Sequence, residues 1–187
     1  MSTKGTAKPG GKPAIRAALG EVVPSEPVVV RAGIRTRRLV LRPLETKDRE
    51  AYLSAARESR ESLDAFMPLH RPGEADEDMF QRQLEIVGKE QAAGHCLRCI
   101  AVMEDGRVAG GFNLNAITRG LELKADITWW VATSVCGRGL ATEGVAGLLA
   151  HALDDLPRGL GLHQVQAWIS RDNSASVRLA ERVGLRR

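Results

Sequence analysis

The segment from Lys124 to Pro157 constrains this chain more than any other. "KADITWWV" reads as a strand ending at Val131; the chain then crosses "ATSVCGRG", and its spacing predicts a helix starting near Leu140. Apolar positions Val145, Leu148, Leu149, Ala152, Leu153 and Leu156 recur at intervals of three and four, and Pro157 stops the pattern. Gly137 and Gly139 stand where serine, threonine or aspartate would cap the helix better. Glycine reaches backbone angles closed to other residues and brings no side-chain bulk, while the first amides of a helix lack partners. Loop and helix start therefore form an anion site, to which Arg138 adds a full positive charge. A tight turn that binds nothing is the alternative reading of these glycines. Gly144 and Gly147 fall inside the helix, each costing about 1 kcal/mol against alanine. Either this helix packs closely on the sheet or it carries a needless weakness.

The spacing excludes two phosphate-binding patterns. There is no G-x-x-x-x-G-K-[ST], and "GRGLAT" lacks the third glycine and the downstream acid of a dinucleotide fingerprint. Nucleotide hydrolysis and hydride transfer lose support accordingly.

Upstream, "LVLRPL" reads as a first strand closed by Pro43, with Thr46 capping a helix from Lys47 to about Glu58. A second helix is predicted within residues 74–94, carrying Phe80, Leu84 and Val87 on one face and stopping at Gly94. "CLRCIAVM" and "VAGGFNLNAI" form a hairpin across Asp105-Gly106, and the strand ending at Val131 follows. After the long helix, "HQVQAWIS" alternates as a strand over residues 163–170, and "NSASVRLAERVG" reads as a capped helix ending at Gly184. The order is strand, two helices, three strands, helix, strand, helix.

A chain of 187 residues suits one domain, expected over residues 34–187. Residues 1–33 are rich in Gly, Pro and Lys without a sustained period, which predicts a disordered basic leader. The first 42 residues hold nine Lys or Arg against two Glu, more than the net +4 of the whole chain, so the body is mildly acidic. A basic face for nucleic acid is therefore not expected on the body. Three cysteines, no apolar signal segment and no run approaching the 18 or so apolar residues of a membrane span point to a cytoplasmic protein that does not enter a membrane. Cys96 and Cys99 lie three apart on a strand and so face opposite sides, which argues against a metal site. Trp129 and Trp130 face opposite sides for the same reason, one to the core and the other to a cleft.

The element order, "TRRLVLRPL", "SRESLDAFMP", "ADITWWVATSVCGRGLATEG" and "NSASVRLAERVGL" together resemble the GNAT superfamily of N-acetyltransferases, especially the branch acting on the N-terminal amines of ribosomal proteins. The resemblance covers most of residues 36–187. It implies an α/β (α+β) fold with a mixed, mostly antiparallel central sheet flanked by helices and a splay between the fourth and fifth strands. It further implies acetyl-coenzyme A as acyl donor, with no metal. The pantetheine arm would lie beside Trp130 and Val131, and the pyrophosphate would meet Gly137, Arg138, Gly139, Leu140, Ala141 and Thr142. The family loop usually opens with Gln or Arg where this chain has Cys136, so Arg138 alone is expected to supply side-chain charge.

Many relatives protonate the departing thiolate with a tyrosine at the position of Ala180; Tyr52, the sole tyrosine, lies in the first helix. By resemblance to the ribosomal-protein branch, Ser176 is the acid or thiolate hydrogen-bond donor and Asn173 contacts the cofactor. Locally, Asn173 is equally a helix N-cap and Ser176 a first-turn serine. Asp126 takes the place of a family glutamate as general base, or is a carboxylate facing solvent. Glu143, in the first turn of a helix, reads as a partner of the helix dipole. The chain stops soon after Gly184, where the family continues with two more strands, so an exposed strand edge is expected, in a monomer or homodimer. The acceptor is expected to be a primary amine, possibly a protein N-terminus. The alternatives are a truncated or degenerate protein that binds acetyl-coenzyme A without turnover and a ribosome- or RNA-associated module using the leader.

Overall fold

The computed structural model describes residues 33–186. The leader expected over residues 1–33 lies, apart from Gly33, outside the described residues. Six strands form one sheet in sequence order: β1 (Ile34–Arg35), β2 (Leu39–Arg42), β3 (Leu97–Met103), β4 (Val108–Thr118), β5 (Lys124–Val131) and β6 (Gln164–Gln166). All neighbours pair antiparallel except β5 and β6, which run parallel. The α-helices are α1 (Arg49–Glu58), α2 (Arg60–Phe66), α3 (Asp76–Ile86), α4 (Leu140–Leu153) and α5 (Ser174–Arg182). The mixed, mostly antiparallel sheet is the one the sequence led us to expect. The fourth and fifth strands of that pattern are β5 and β6, because β1 is too short to show a period.

Side-chain alternation divides the sheet. Leu97, Leu114 and Ile127 form one cross-strand row, and Cys99, Phe112 and Trp129 the next, on the face covered by α4. Arg98, Asn113 and Thr128, then Ile100, Gly111 and Trp130, lie on the opposite face, beneath α1 and α3. The close seating of α4 answers the question raised by its glycines. A Cβ on Gly144 would come within 2.6 Å of the Phe112 ring, and one on Gly147 within 2.7 Å of Thr36 Cγ2. The helical weakness of both residues is offset by a packing distance that no side chain permits.

Four local expectations are corrected. The helix foreseen from Lys47 opens as a 3-10 turn, Thr46–Asp48, in which Asp48 rather than Thr46 anchors the chain. Its carboxylate accepts the Glu45 amide at 2.9 Å and a fork from Arg42 at 2.6 and 2.7 Å. Three helices, not two, precede the hairpin: α2 is separated from α1 at Ser59, whose hydroxyl is turned inward to accept the Thr133 amide at 3.0 Å. The helix predicted within residues 74–94 is α-helical only to Ile86 and then widens into a π turn, Val87–Gln91. The strand expected over residues 163–170 pairs only from Gln164 to Gln166, and Trp168, two residues on, is 81% exposed. Alternation continues there, but among the described residues the ladder ends at Gln166.

Candidate active site

The early end of β6 opens the sheet. β5 pairs with β6 from Lys124 to Asp126 and then continues to Val131 with β4 alone. Successive residues of a strand direct their amide and carbonyl to opposite neighbours, so alternate residues between Ile127 and Val131 turn those groups into the gap. A slot lined by unpaired backbone thus lies beside Trp130 and Val131, where the pantetheine arm was expected.

The chain leaving β5 is held tightly before it reaches the glycines. Ser59 fixes Thr133, and Glu58 accepts the Ser134 hydroxyl at 2.8 Å. Gly137 and Gly139 both adopt φ of +76°, the left-handed region in which a side chain is strained. Gly139 is the N-cap of α4, and the first amide to bond within this turn is that of Glu143, donating to Gly139 O at 3.1 Å. Among the described residues, the amides from Gly137 to Thr142 find no acceptor. They form a row of donors at the positive end of a helix, as an anion site requires.

The expectation that Arg138 alone supplies side-chain charge is corrected. Arg38, in the turn before β2, donates from Nη1 to the Arg138 carbonyl at 2.9 Å and from Nε to Glu143 Oε2 at 2.7 Å. A Cβ on Gly139 would stand 3.6 Å from the Arg38 guanidinium. Arg182 on α5 reaches Thr142 Oγ1 at 3.4 Å. Three guanidinium groups therefore lie at the loop, two of them from distant parts of the sequence, with the charge of Arg38 paired to Glu143.

Glu143 organises this arrangement. Besides the Arg38 side chain, it accepts the Arg38 amide at 2.6 Å and the Thr36 hydroxyl at 2.7 Å. Burial opposes its ionisation, but the hydrogen bonds from Thr36 and Arg38 outweigh burial and hold the carboxyl below its ordinary 4.5. A lowered folded value means stability that is complete above the ordinary value and lost as pH falls through the folded one. Glu143→Gln is therefore expected to cost about 1–3 kcal/mol at pH 7. It should also flatten the acid limb of a stability profile measured by urea unfolding between pH 7 and 3. An unchanged acid limb would mean that Glu143 does not anchor the loop.

Asp126 and Ser176 are not in contact. Asp126 precedes Thr128 and Trp130 on one face of β5, and its Oδ1 accepts Gln166 Nε2 at 2.7 Å across the last β5–β6 pair. Its other oxygen has no hydrogen-bond partner among the described residues. Asn173 caps α5, accepting the Ser176 amide at 3.0 Å, so the local reading of this residue is realised. Ser176 is half-buried, about 9 Å along the α5 axis from Arg182, the residue whose side chain reaches Thr142. Leu140 is buried in the core, so it can offer a ligand only its backbone, while Ala141 and Thr142 are half-buried.

Trp130 is the buried tryptophan of the pair, 7% exposed and on the face away from α4. Its indole lies against Gly111, where a Cβ would come within 2.4 Å of Nε1, and packs edge-on to Tyr52 with ring centroids 6.0 Å apart. Together with Leu69, Arg98, Asn115 and Thr128 these residues line a cavity of about 310 Å³ between α1, α3 and the sheet. Burial pushes the Tyr52 phenol up to about 12 despite Arg98 and Arg82 nearby, so it keeps its proton. Sequence reasoning passed over this cavity because its polar side chains come from α1, α3, β3, β4 and β5 and meet only when the helices cover the aligned strands.

Residues 38–186 match the family model described as "Acetyltransferase (GNAT) domain". The Bacillus subtilis (strain 168) protein named "Probable N-acetyltransferase YjcK" is 24% identical over 155 residues, 81% of this chain and 82% of that protein. The structure of RimJ from Mycobacterium smegmatis in complex with CoA-disulfide superposes with a TM-score of 0.69 at 23% identity, covering 84% of this chain and 71% of that one. The ribosomal-protein-S5-alanine acetyltransferase of Vibrio fischeri gives 0.68 at 16% identity, covering 80% of each chain. At these identities the structural likeness speaks for the fold.

Proposed function

This chain belongs to the acetyltransferase (GNAT) domain family, and we propose that it transfers an acetyl group from acetyl-coenzyme A to a primary amine at the N-terminus of a protein. The observation that carries the proposal is the row of unpartnered amides from Gly137 to Thr142, ringed by Arg38, Arg138 and Arg182 and placed directly after the unpaired end of β5. Such a site suits a pyrophosphate, and the slot beside Trp130 and Val131 suits an amide-bearing arm. The name of one structural neighbour, a ribosomal-protein-S5-alanine acetyltransferase, favours a ribosomal protein among amine acceptors.

Bound there, acetyl-coenzyme A would supply an acetyl thioester. The chain's own groups have three tasks: to offer a hydrogen bond to the thioester oxygen as it gains charge, to take a proton from the amine, and to stabilise the departing thiolate. The unpaired backbone near Trp130 and Val131 is suited to the first. Asp126, with one carboxylate oxygen uncommitted and two residues before Thr128 on the same face of β5, is suited to the second. Ser176, whose hydroxyl is not used by the Asn173 cap, is suited to the third.

The test is acetylation of a peptide bearing a ribosomal-protein N-terminus, followed by mass spectrometry. Ser176→Ala and Asp126→Asn are each expected to lower kcat by about 100-fold, the low end for a general acid or base, with little change in acetyl-coenzyme A affinity. Binding without turnover in the wild type would favour a cofactor-binding relative instead. The Asn173 cap and the Asp126–Gln166 bond would then be purely structural.

A further inference from the structure

The cavity beneath α1 and α3 carries a charge with no counter-ion. Arg82, Arg98 and Tyr52 are the ionisable side chains on its walls, the Cys99 thiol lying on the α4 face of the sheet, and no carboxylate lines it among the described residues. The two arginines are not equivalent. Arg82 is neutralised by Glu74 through bonds of 2.7 and 2.6 Å, and this pairing draws the Glu74 carboxyl down to about 2. Arg98 meets only neutral groups: Nη1 donates to Gln83 at 3.1 Å and Nη2 to Asn115 at 3.3 Å, and the guanidinium also faces the Cys96 thiol, which burial holds above its ordinary value. Its Nε is buried and has no hydrogen-bond partner among the described residues.

A guanidinium cannot shed its proton to escape this position. Arg98 is half-buried, so its charge is partly withdrawn from water without an ionic partner, and a guanidinium presents parallel N–H groups that match a carboxylate. Burial also keeps the Tyr52 phenol protonated, so it adds a donor and no negative charge to the same wall.

Arg98, Asn113 and Thr128 are cross-strand partners in one row. Two strand spacings separate β3 from β5, about 10 Å between backbones, and the arginine side chain shortens that span. An amine beside Thr128 and a carboxylate beside Arg98 therefore lie within reach of one short acceptor, such as a peptide N-terminus followed by an acidic residue.

We propose that Arg98 selects amine acceptors that carry a carboxylate near the reactive amine, and that the cavity rejects polyamines and N-termini followed by lysine or arginine. This rests on the amine-acetylation reading given above. The full-length chain should be assayed with the peptide amides Ala-Glu-Ala, Ala-Gln-Ala and Ala-Lys-Ala, and with free glutamate, which carries its carboxylates without a peptide. Wild-type kcat/KM is expected to favour the Glu peptide over the Gln peptide by about 10- to 100-fold, the range for a hydrogen bond to a charged group, with the Lys peptide poorest. Free glutamate as the better acceptor would assign the site to a small amino acid and keep the role of Arg98. In Arg98→Gln the Glu-to-Gln ratio should fall to within about threefold, while Arg98→Lys should retain part of it, because a point charge attracts but does not fork.

Binding of the N-acetylated product peptides, followed by tryptophan fluorescence, gives a readout independent of turnover. The acidic product should bind more tightly to the wild type and lose that advantage in Arg98→Gln. Equal use and equal binding of the Glu and Gln peptides, or a preference that survives Arg98→Gln in a folded variant, would overturn the proposal. If the chain acetylates amines without regard to charge, only the role of Arg98 fails. If it neither binds acetyl-coenzyme A nor acetylates, the wider functional reading fails with it.

Discussion

Gly144→Val is expected to lower stability by about 2–3 kcal/mol, the upper part of the usual range for overpacking a filled core. On an exposed helix the same change would gain a few tenths of a kcal/mol, because glycine is the poorer helix former. Here the new Cβ would meet the Phe112 ring at 2.6 Å, and Phe112 is wholly buried against the sheet, so neither partner can yield cheaply. For a domain of this size the loss corresponds to a fall in Tm of about 4–12 °C, measurable by circular dichroism. Truncating the ring should relieve the clash. Phe112→Ala alone is expected to cost about 3–5 kcal/mol, and the double variant clearly less than the sum of the two singles. A neutral or stabilising Gly144→Val would show that α4 does not rest on Phe112. Because α4 begins at the glycine loop, the same variant should also weaken acetyl-coenzyme A binding.

The elements legible in the sequence were those with a local cause. Asp105-Gly106 marked the β3–β4 hairpin, the three-to-four spacing from Val145 onwards marked α4, and Gly137 and Gly139 marked a loop whose backbone does take the left-handed conformation. Gly144 and Gly147 posed a question that only the distance to Phe112 and Thr36 could answer. β1 escaped notice because two residues cannot display a period, and β6 was overextended because alternation persists through Ile169 after the ladder ends.

The site was less legible than the fold for the same physical reason. Arg38 joins the loop across 105 residues to Glu143, and Arg182 joins it across 40 to Thr142, so no local spacing reports either contact. Arg98, a charged residue alternating with apolar ones in a strand, reads as facing water. It becomes a cavity residue only because α1 and α3 cover that face of the sheet. Asn173 and Asp126 each had a structural and a chemical reading in sequence. The bond to the Ser176 amide supplies the structural one for Asn173, whereas Asp126, read alternatively as facing solvent, is half-buried and bonded to Gln166; neither bond consumes the Asp126 oxygen or Ser176 hydroxyl that the chemistry needs.

The second large effect is expected at Gly139. Any side chain there must adopt the left-handed conformation, at a cost of about 1–3 kcal/mol, and an indole would stand among the amides of Gly137 to Thr142 and against Arg38. Gly139→Trp should thus leave the chain folded while blocking the anion site. Gly139→Asn, which tolerates this conformation with a small side chain, should retain part of the affinity. The most direct measurement is calorimetric titration of the wild-type chain and Gly139→Trp with acetyl-coenzyme A. Saturable binding to the wild type, weakened at least 100-fold in a folded Gly139→Trp, is the expected result. A folded wild-type chain that does not bind acetyl-coenzyme A, or a Gly139→Trp variant that binds it equally well, would contradict the assignment of this loop as the acetyl-donor site.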